Sequence, residues 1–117
     1  MNKWTRLTLD EIAKGRHKCE CPTHKKGIGL EGHHGIFGRK KAHPEYNVVE
    51  NLFMLCNTCN AELRSMDNRK GRLIALRAAT RRYGRAHMVA WLESLRAMHK
   101  DHSEIEWLLR ELEGSDE

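Results

Sequence analysis

The sequence predicts a small α+β domain: a strand–loop–strand–helix (ββα) unit stapled by a zinc ion, with one helix before it and further helices after it. Three observations carry this expectation. A chain of 117 residues and 13.6 kDa is one domain's worth of sequence. Its four cysteines form two close pairs, Cys19/Cys21 and Cys56/Cys59, on either side of a short run ending in His33-His34. The C-terminal half repeats its apolar residues at helical spacing.

Taken in order, Thr8-Leu-Asp-Glu11 reads as a capping box, Ile12-Ala13 opens an apolar face and Gly15 stops it, which predicts a short N-terminal helix. Residues 16–32 are basic and turn-rich. Leu30–His34 is expected as a short strand, and Gly35, Gly38 and Pro44 mark a loop running to about Asn47. Asn51-Leu-Phe-Met-Leu55 is an apolar run of strand length ending at Cys56, and a helix is expected from Cys59 to Ser65. Leu73, Ile74, Leu76 and Ala79 then share one helix face, ended by Tyr83-Gly84, and Met88, Leu92, Leu95 and Met98 share the next. Ser103-Glu-Ile-Glu106 is a second capping box, ahead of Ile105, Leu108, Leu109 and Leu112. The expected organisation is a helix and basic lead-in over 1–18, the stapled core over 19–66, a helical extension over 67–113 and an acidic tail over 114–117.

Apolar residues make up 39% of the chain, a thin core for a domain that must stand alone, and such domains often lean on metals or disulfides. The net charge is +5, unevenly spread: 20 basic against 9 acidic side chains in residues 1–100, and 1 against 7 in residues 101–117. A basic body points to a polyanionic partner, with solvated faces as the plain alternative. Arg69, Lys70, Arg72, Arg77, Arg81, Arg82 and Arg85 are dense enough to serve as DNA contacts. No stretch approaches the ~18 consecutive apolar residues of a membrane span, so no membrane is expected as a partner. The opening Met1-Asn-Lys-Trp-Thr-Arg6 leads into no apolar run, so no secretory signal is expected and the expected compartment is the reducing cytoplasm.

In that compartment the cysteines read as metal ligands before disulfides. Cys56-Asn-Thr-Cys59 can place two thiolates on one tetrahedral zinc, and a structural site needs two more ligands. Cys21-Pro-Thr-His24 has the same two-residue spacer, whereas Cys19-Glu-Cys21 has a tighter bite. The preferred set is therefore Cys21, His24, Cys56 and Cys59. The rival is an all-Cys site in which Cys19 replaces His24.

Between and beyond these pairs lie Leu30-Glu-Gly-His33-His34-Gly-Ile-Phe-Gly-Arg39 and Asn51-Leu-Phe-Met-Leu-Cys56-Asn-Thr-Cys59-Asn60. Over residues 21–64 this resembles the HNH endonucleases, also called ββα-metal or His-Me finger nucleases, and the wording around the His pair is similar to phage-type members. His24 falls where such proteins usually place the second cysteine of the first knuckle. The resemblance implies a metal-dependent DNA endonuclease. His34 would be the general base that deprotonates the attacking water, His33 and Asn60 would hold a catalytic divalent ion, and Asn51 would hold the loop and orient His34 through a hydrogen bond. The zinc would be structural and separate.

Asn60 stands where many members have His, which makes the set H-N-N. An amide oxygen is a harder ligand than imidazole and favours Mg²⁺ or Mn²⁺ at the catalytic position. Gly35 is an apparent extra residue after the His pair. Arg39, Lys40 and Lys41, with His43, sit in the loop between the strands as candidate phosphate contacts, a solvated loop being the alternative. The products implied are 5′-phosphate and 3′-hydroxyl ends. One site per chain nicks one strand, so double-strand cleavage would need a homodimer, a protein partner or a second visit. A phage-encoded protein would act in the bacterial host's cytoplasm. The competing expectation is a zinc-stabilised DNA-binding or assembly module that kept the finger and lost catalysis.

Overall fold

The chain's first helix starts earlier than its capping box predicts, because a better cap lies upstream. In the computed structural model, which describes residues 2–22, 24, 27–38, 44–65, 68–98 and 102–114, helix α1 runs Lys3–Ala13. The Asn2 side-chain oxygen accepts a hydrogen bond from the Thr5 N–H at 2.7 Å. Thr8, predicted as the cap, lies inside the helix, and its hydroxyl donates to the Trp4 carbonyl at 2.9 Å. Gly15 ends the segment as expected, with φ of 106°.

Strands β1 (Glu31–His34) and β2 (Leu52–Leu55) pair antiparallel, with Glu31 opposite Leu55, Gly32 opposite Met54, His33 opposite Phe53 and His34 opposite Leu52. Strand β2 is buried along its whole length. Its outer edge is closed by one residue: the Glu20 N–H donates to the Met54 carbonyl at 2.8 Å, and a Glu20 carboxylate oxygen accepts from the Met54 N–H at 2.9 Å. The buried Arg16 guanidinium holds Glu20 there through two hydrogen bonds of 2.8 and 2.9 Å, and also reaches Glu11 and the Leu52 carbonyl. Burial pushes the Glu20 carboxyl up, but the Arg16 hydrogen bonds and charge, with the Met54 N–H, outweigh it and hold the group below the usual carboxylate range.

The helices α2 (Asn57–Ser65), α3 (Asn68–Tyr83), α4 (Arg85–Met98) and α5 (His102–Glu113) follow, so the described residues form five helices and a two-stranded sheet. Gly84, at φ 92°, closes α3 by donating to the Thr80 carbonyl. Helix α5 begins at His102, one residue before the predicted cap. Met88, Leu92 and Leu95 of α4 meet Ile105, Leu108 and Leu112 of α5 in a core that continues to Ile36 and Phe37 beside the sheet. Phe37 stacks on Tyr46 with ring centres 4.5 Å apart and meets the edge of Trp91 at 5.8 Å. Met98, on the predicted apolar stripe, is 61% exposed: it is the last residue of α4. Among the described residues no helix is long and apolar enough to cross a membrane.

The two ends of the α4 stripe should therefore differ in energy. Leu92→Ala is expected to destabilise the protein by about 2–5 kcal/mol, and Met98→Ala by less than about 0.5 kcal/mol. Chemical denaturation measures both, and equal losses would contradict the packing.

Candidate functional site

The first site is built on the head of α2. Helix α2 starts at Asn57, so Cys56 directly precedes it and Cys59 lies in its first turn. The Cys56 sulfur accepts from the Cys59 N–H at 3.5 Å and from the Gly27 N–H. Gly27 approaches so closely that a Cβ there would lie 2.5 Å from Asn57 Oδ1 and 2.8 Å from Cys56 Sγ. His24 Nδ1 lies 3.7 Å from Cys56 Sγ and 3.6 Å from Cys59 Sγ. With Cys19 included, all four ligand atoms lie within 4.8 Å of one another. A tetrahedron with zinc–sulfur and zinc–nitrogen bonds of ordinary length has S···N edges of about 3.6 Å, so the cluster fits a metal ion such as zinc. Burial raises the Cys56 thiol, but the donors from Cys59 and Gly27 and the Cys19 thiol outweigh it, and the group is held below its ordinary value, toward the thiolate that binds metal.

The cluster corrects the preferred ligand set at one position: Cys19 takes the place expected for Cys21, and His24 stays. The equal spacers would bring Cys21 and His24 to one ion only if 21–24 turned as 56–59 does. Instead Glu20, between the two cysteines, is tied to the Met54 backbone on the β2 edge, and it is the Cys19 sulfur that joins the His24, Cys56 and Cys59 ligand atoms. Cys21 packs half-buried against the core.

The second site is an open cleft of about 400 Å³ where α1, β1 and α2 meet. His33, His34 and Asn60 all line it, so three of the predicted functional residues come together. Burial, reinforced by Arg64 and His34 and opposed by Glu31, holds the His33 imidazole below its ordinary value, in the neutral form that ligates metals. The His34 Nε2 lies 2.9 Å from Asn47 Oδ1, and its ring lies flat on Trp4. Asn60 is 5% exposed. Its NH₂ donates to Glu31 at 3.0 Å, while its Oδ1 is buried with no hydrogen-bond partner among the described residues. The Asn60 N–H donates to the Cys56 carbonyl, so the knuckle and this amide share one rigid turn.

Asn51 does part of what was expected. Its Oδ1 accepts from the Ile36 and Phe37 N–H groups, both at 2.9 Å, and its NH₂ donates to the Phe37 and Tyr46 carbonyls at 2.8 and 3.0 Å. It staples the loop after β1. It does not bond His34; that bond comes from Asn47, because all of these Asn51 bonds go to backbone groups of the loop. Sequence reasoning also missed Trp4, Glu31, Arg64 and Lys3, which line the cleft. Arg64 was findable, four residues after Asn60 on one helix face. Arg39, Lys40, Lys41 and His43 lie outside the described residues. Of the basic residues on α3 and at the start of α4, Arg72 bonds the Ile36 carbonyl and pairs with Glu104, Arg82 pairs with Glu20, and Arg85 caps the carbonyls of Leu112 and Glu113. Arg77 and Arg81 are exposed.

Set against protein-family models, curated proteins and solved structures, the chain has no match.

The cluster predicts one equivalent of zinc per chain. Cys19→Ser and Cys59→Ser should each release it, and Cys21→Ser should keep it, as read by elemental analysis of purified variants. Loss in Cys21→Ser with retention in Cys19→Ser would contradict the assignment.

Proposed function

We propose that the chain is a metal-dependent DNA endonuclease of the HNH type, hydrolysing a phosphodiester bond with His34 as general base and with His33 and Asn60 as ligands of a Mg²⁺ or Mn²⁺ ion. The observation that carries this reading is the buried, unpartnered oxygen of Asn60, a residue that lines the same cleft as the two histidines. Leaving such a group unsatisfied costs about 1–3 kcal/mol, and a hard cation removes that cost. His33, held toward its neutral form and lining the same cleft, supplies a second donor of the right kind. When bound, the ion supplies charge neutralisation at the scissile phosphate and the leaving oxygen.

The chain's own residues do the rest. With Asn47 Oδ1 accepting from Nε2–H, His34 carries its lone pair on Nδ1, the nitrogen that takes the proton from water. The same hydrogen bond supports the imidazolium that forms. Asn51 fixes the backbone directly after β1, so the end of the strand that carries His34 cannot drift. Arg64 and Lys3 bring positive charge to the cleft wall, where a phosphodiester backbone would lie. The Cys/His cluster acts as a structural zinc site, away from the chemistry.

Incubating the zinc-loaded protein with supercoiled plasmid in Mg²⁺ or Mn²⁺ tests this. Metal-dependent nicking is expected, abolished by EDTA and lowered on the order of 100-fold or more in His34→Ala, with melting temperature and DNA binding retained. A folded, zinc-loaded wild type without cleavage, or a His34→Ala variant as active as wild type, would contradict it.

A further inference from the structure

We infer that Trp4 is a positioning residue for His34, so that α1, which lies outside the strand–strand–helix unit, is a working part of the cleft. The inference rests on the nuclease reading above. Trp4 sits in the first turn of α1, two residues after the Asn2 cap. Its indole N–H donates to the Gly32 carbonyl at 2.8 Å, which fixes the ring against β1. The His34 imidazole lies on that ring at a centroid distance of 3.6 Å and an interplanar angle of 16°. His34 is thus held on its face by Trp4 and at its edge by Asn47, from two separate parts of the chain. Together these contacts block rotation of the imidazole.

A second observation shows that the sequence makes room for this contact. A Cβ on Gly32 would lie 2.3 Å from the Thr8 hydroxyl and 2.7 Å from Leu52 Cδ1. Only a residue without a side chain lets α1 sit this close to β1, and the Thr8 hydroxyl is itself bonded to the Trp4 carbonyl. Trp4, Thr8, Gly32 and His34 therefore form one interlocked contact. Trp4 is half-buried and is not part of the main core, so packing alone does not account for it. Positioning does: a general base displaced by about 1 Å can lose on the order of 100-fold in rate.

The test uses the full-length, zinc-loaded protein and three variants: Trp4→Leu, Trp4→Phe and Gly32→Ala. Two readouts are taken, the kinetics of plasmid nicking and the NMR shifts of the His34 ring protons. In the wild type the indole should move those protons upfield. Trp4→Leu should abolish that shift and lower kcat about tenfold or more, with KM within about twofold, because an orienting contact acts on the chemical step. Trp4→Phe, which keeps a flat ring, should recover most of kcat. Gly32→Ala should reproduce the kinetic defect with both aromatic rings intact, and keeps the test decisive if Trp4→Leu folds poorly. Unshifted His34 protons in the wild type would overturn the inference. So would a Trp4→Leu kcat that is unchanged or falls only with the folded fraction. Those results leave the nuclease reading standing, whereas a wild type that does not cleave overturns both.

Discussion

The meeting of Cys19, His24, Cys56 and Cys59 is the constraint on which the rest of the cleft depends. Two antiparallel strands of four residues do not hold together in water unaided. Here the ends of that ribbon are tied separately. At one end the Cys/His cluster joins the basic lead-in to the head of α2, and α2 carries Asn60. At the other end Asn51 binds the loop after β1, and β1 carries His33 and His34. Along the open edge Glu20 stands in for a third strand, held by a buried arginine. Removing any one of these ties frees a group that the proposed chemistry needs held still.

Two buried asparagines illustrate how burial separates structure from function. Asn51 and Asn60 are almost equally shielded. Asn51 satisfies both ends of its amide on backbone groups and behaves as a structural staple. Asn60 satisfies only its NH₂ end, on Glu31, and its buried oxygen has no partner among the described residues. The amide orientation follows from Glu31: a carboxylate can only accept, so it takes the NH₂ and leaves the oxygen without a partner among the described residues.

The strands, the C-terminal helices and the Cys56/Cys59 knuckle were legible because each is local: a run of four apolar residues, a 3.6-residue period, a fixed spacer. The positions of His33, His34 and Asn60 were legible for the same reason, as strand-end and helix-head residues. What failed depends on contacts between distant segments. Cys19 replaces Cys21 because Glu20 binds Met54, 34 residues away. Asn47 replaces Asn51 on His34 through a contact 13 residues along the chain, which no local pattern marks. Thr8 lost its capping role to Asn2, a better-placed side chain upstream. Three of the seven basic residues read as candidate DNA contacts, Arg72, Arg82 and Arg85, also bond within the chain, which their spacing does not reveal. Trp4 could not be found at all, since nothing local marks a tryptophan that stacks on a residue thirty positions later.

The proposed function requires a second metal site, open and at His33 and Asn60, beside the closed sulfur-rich cluster. Titrating Mn²⁺ into the zinc-loaded protein, with the histidine ring protons followed by NMR, tests it most directly. Paramagnetic broadening should strike His33 first, spare His24, leave zinc bound, and require higher Mn²⁺ in Asn60→Ala. Broadening that ignores His33, or that is identical in Asn60→Ala, would contradict the second site and the chemistry built on it.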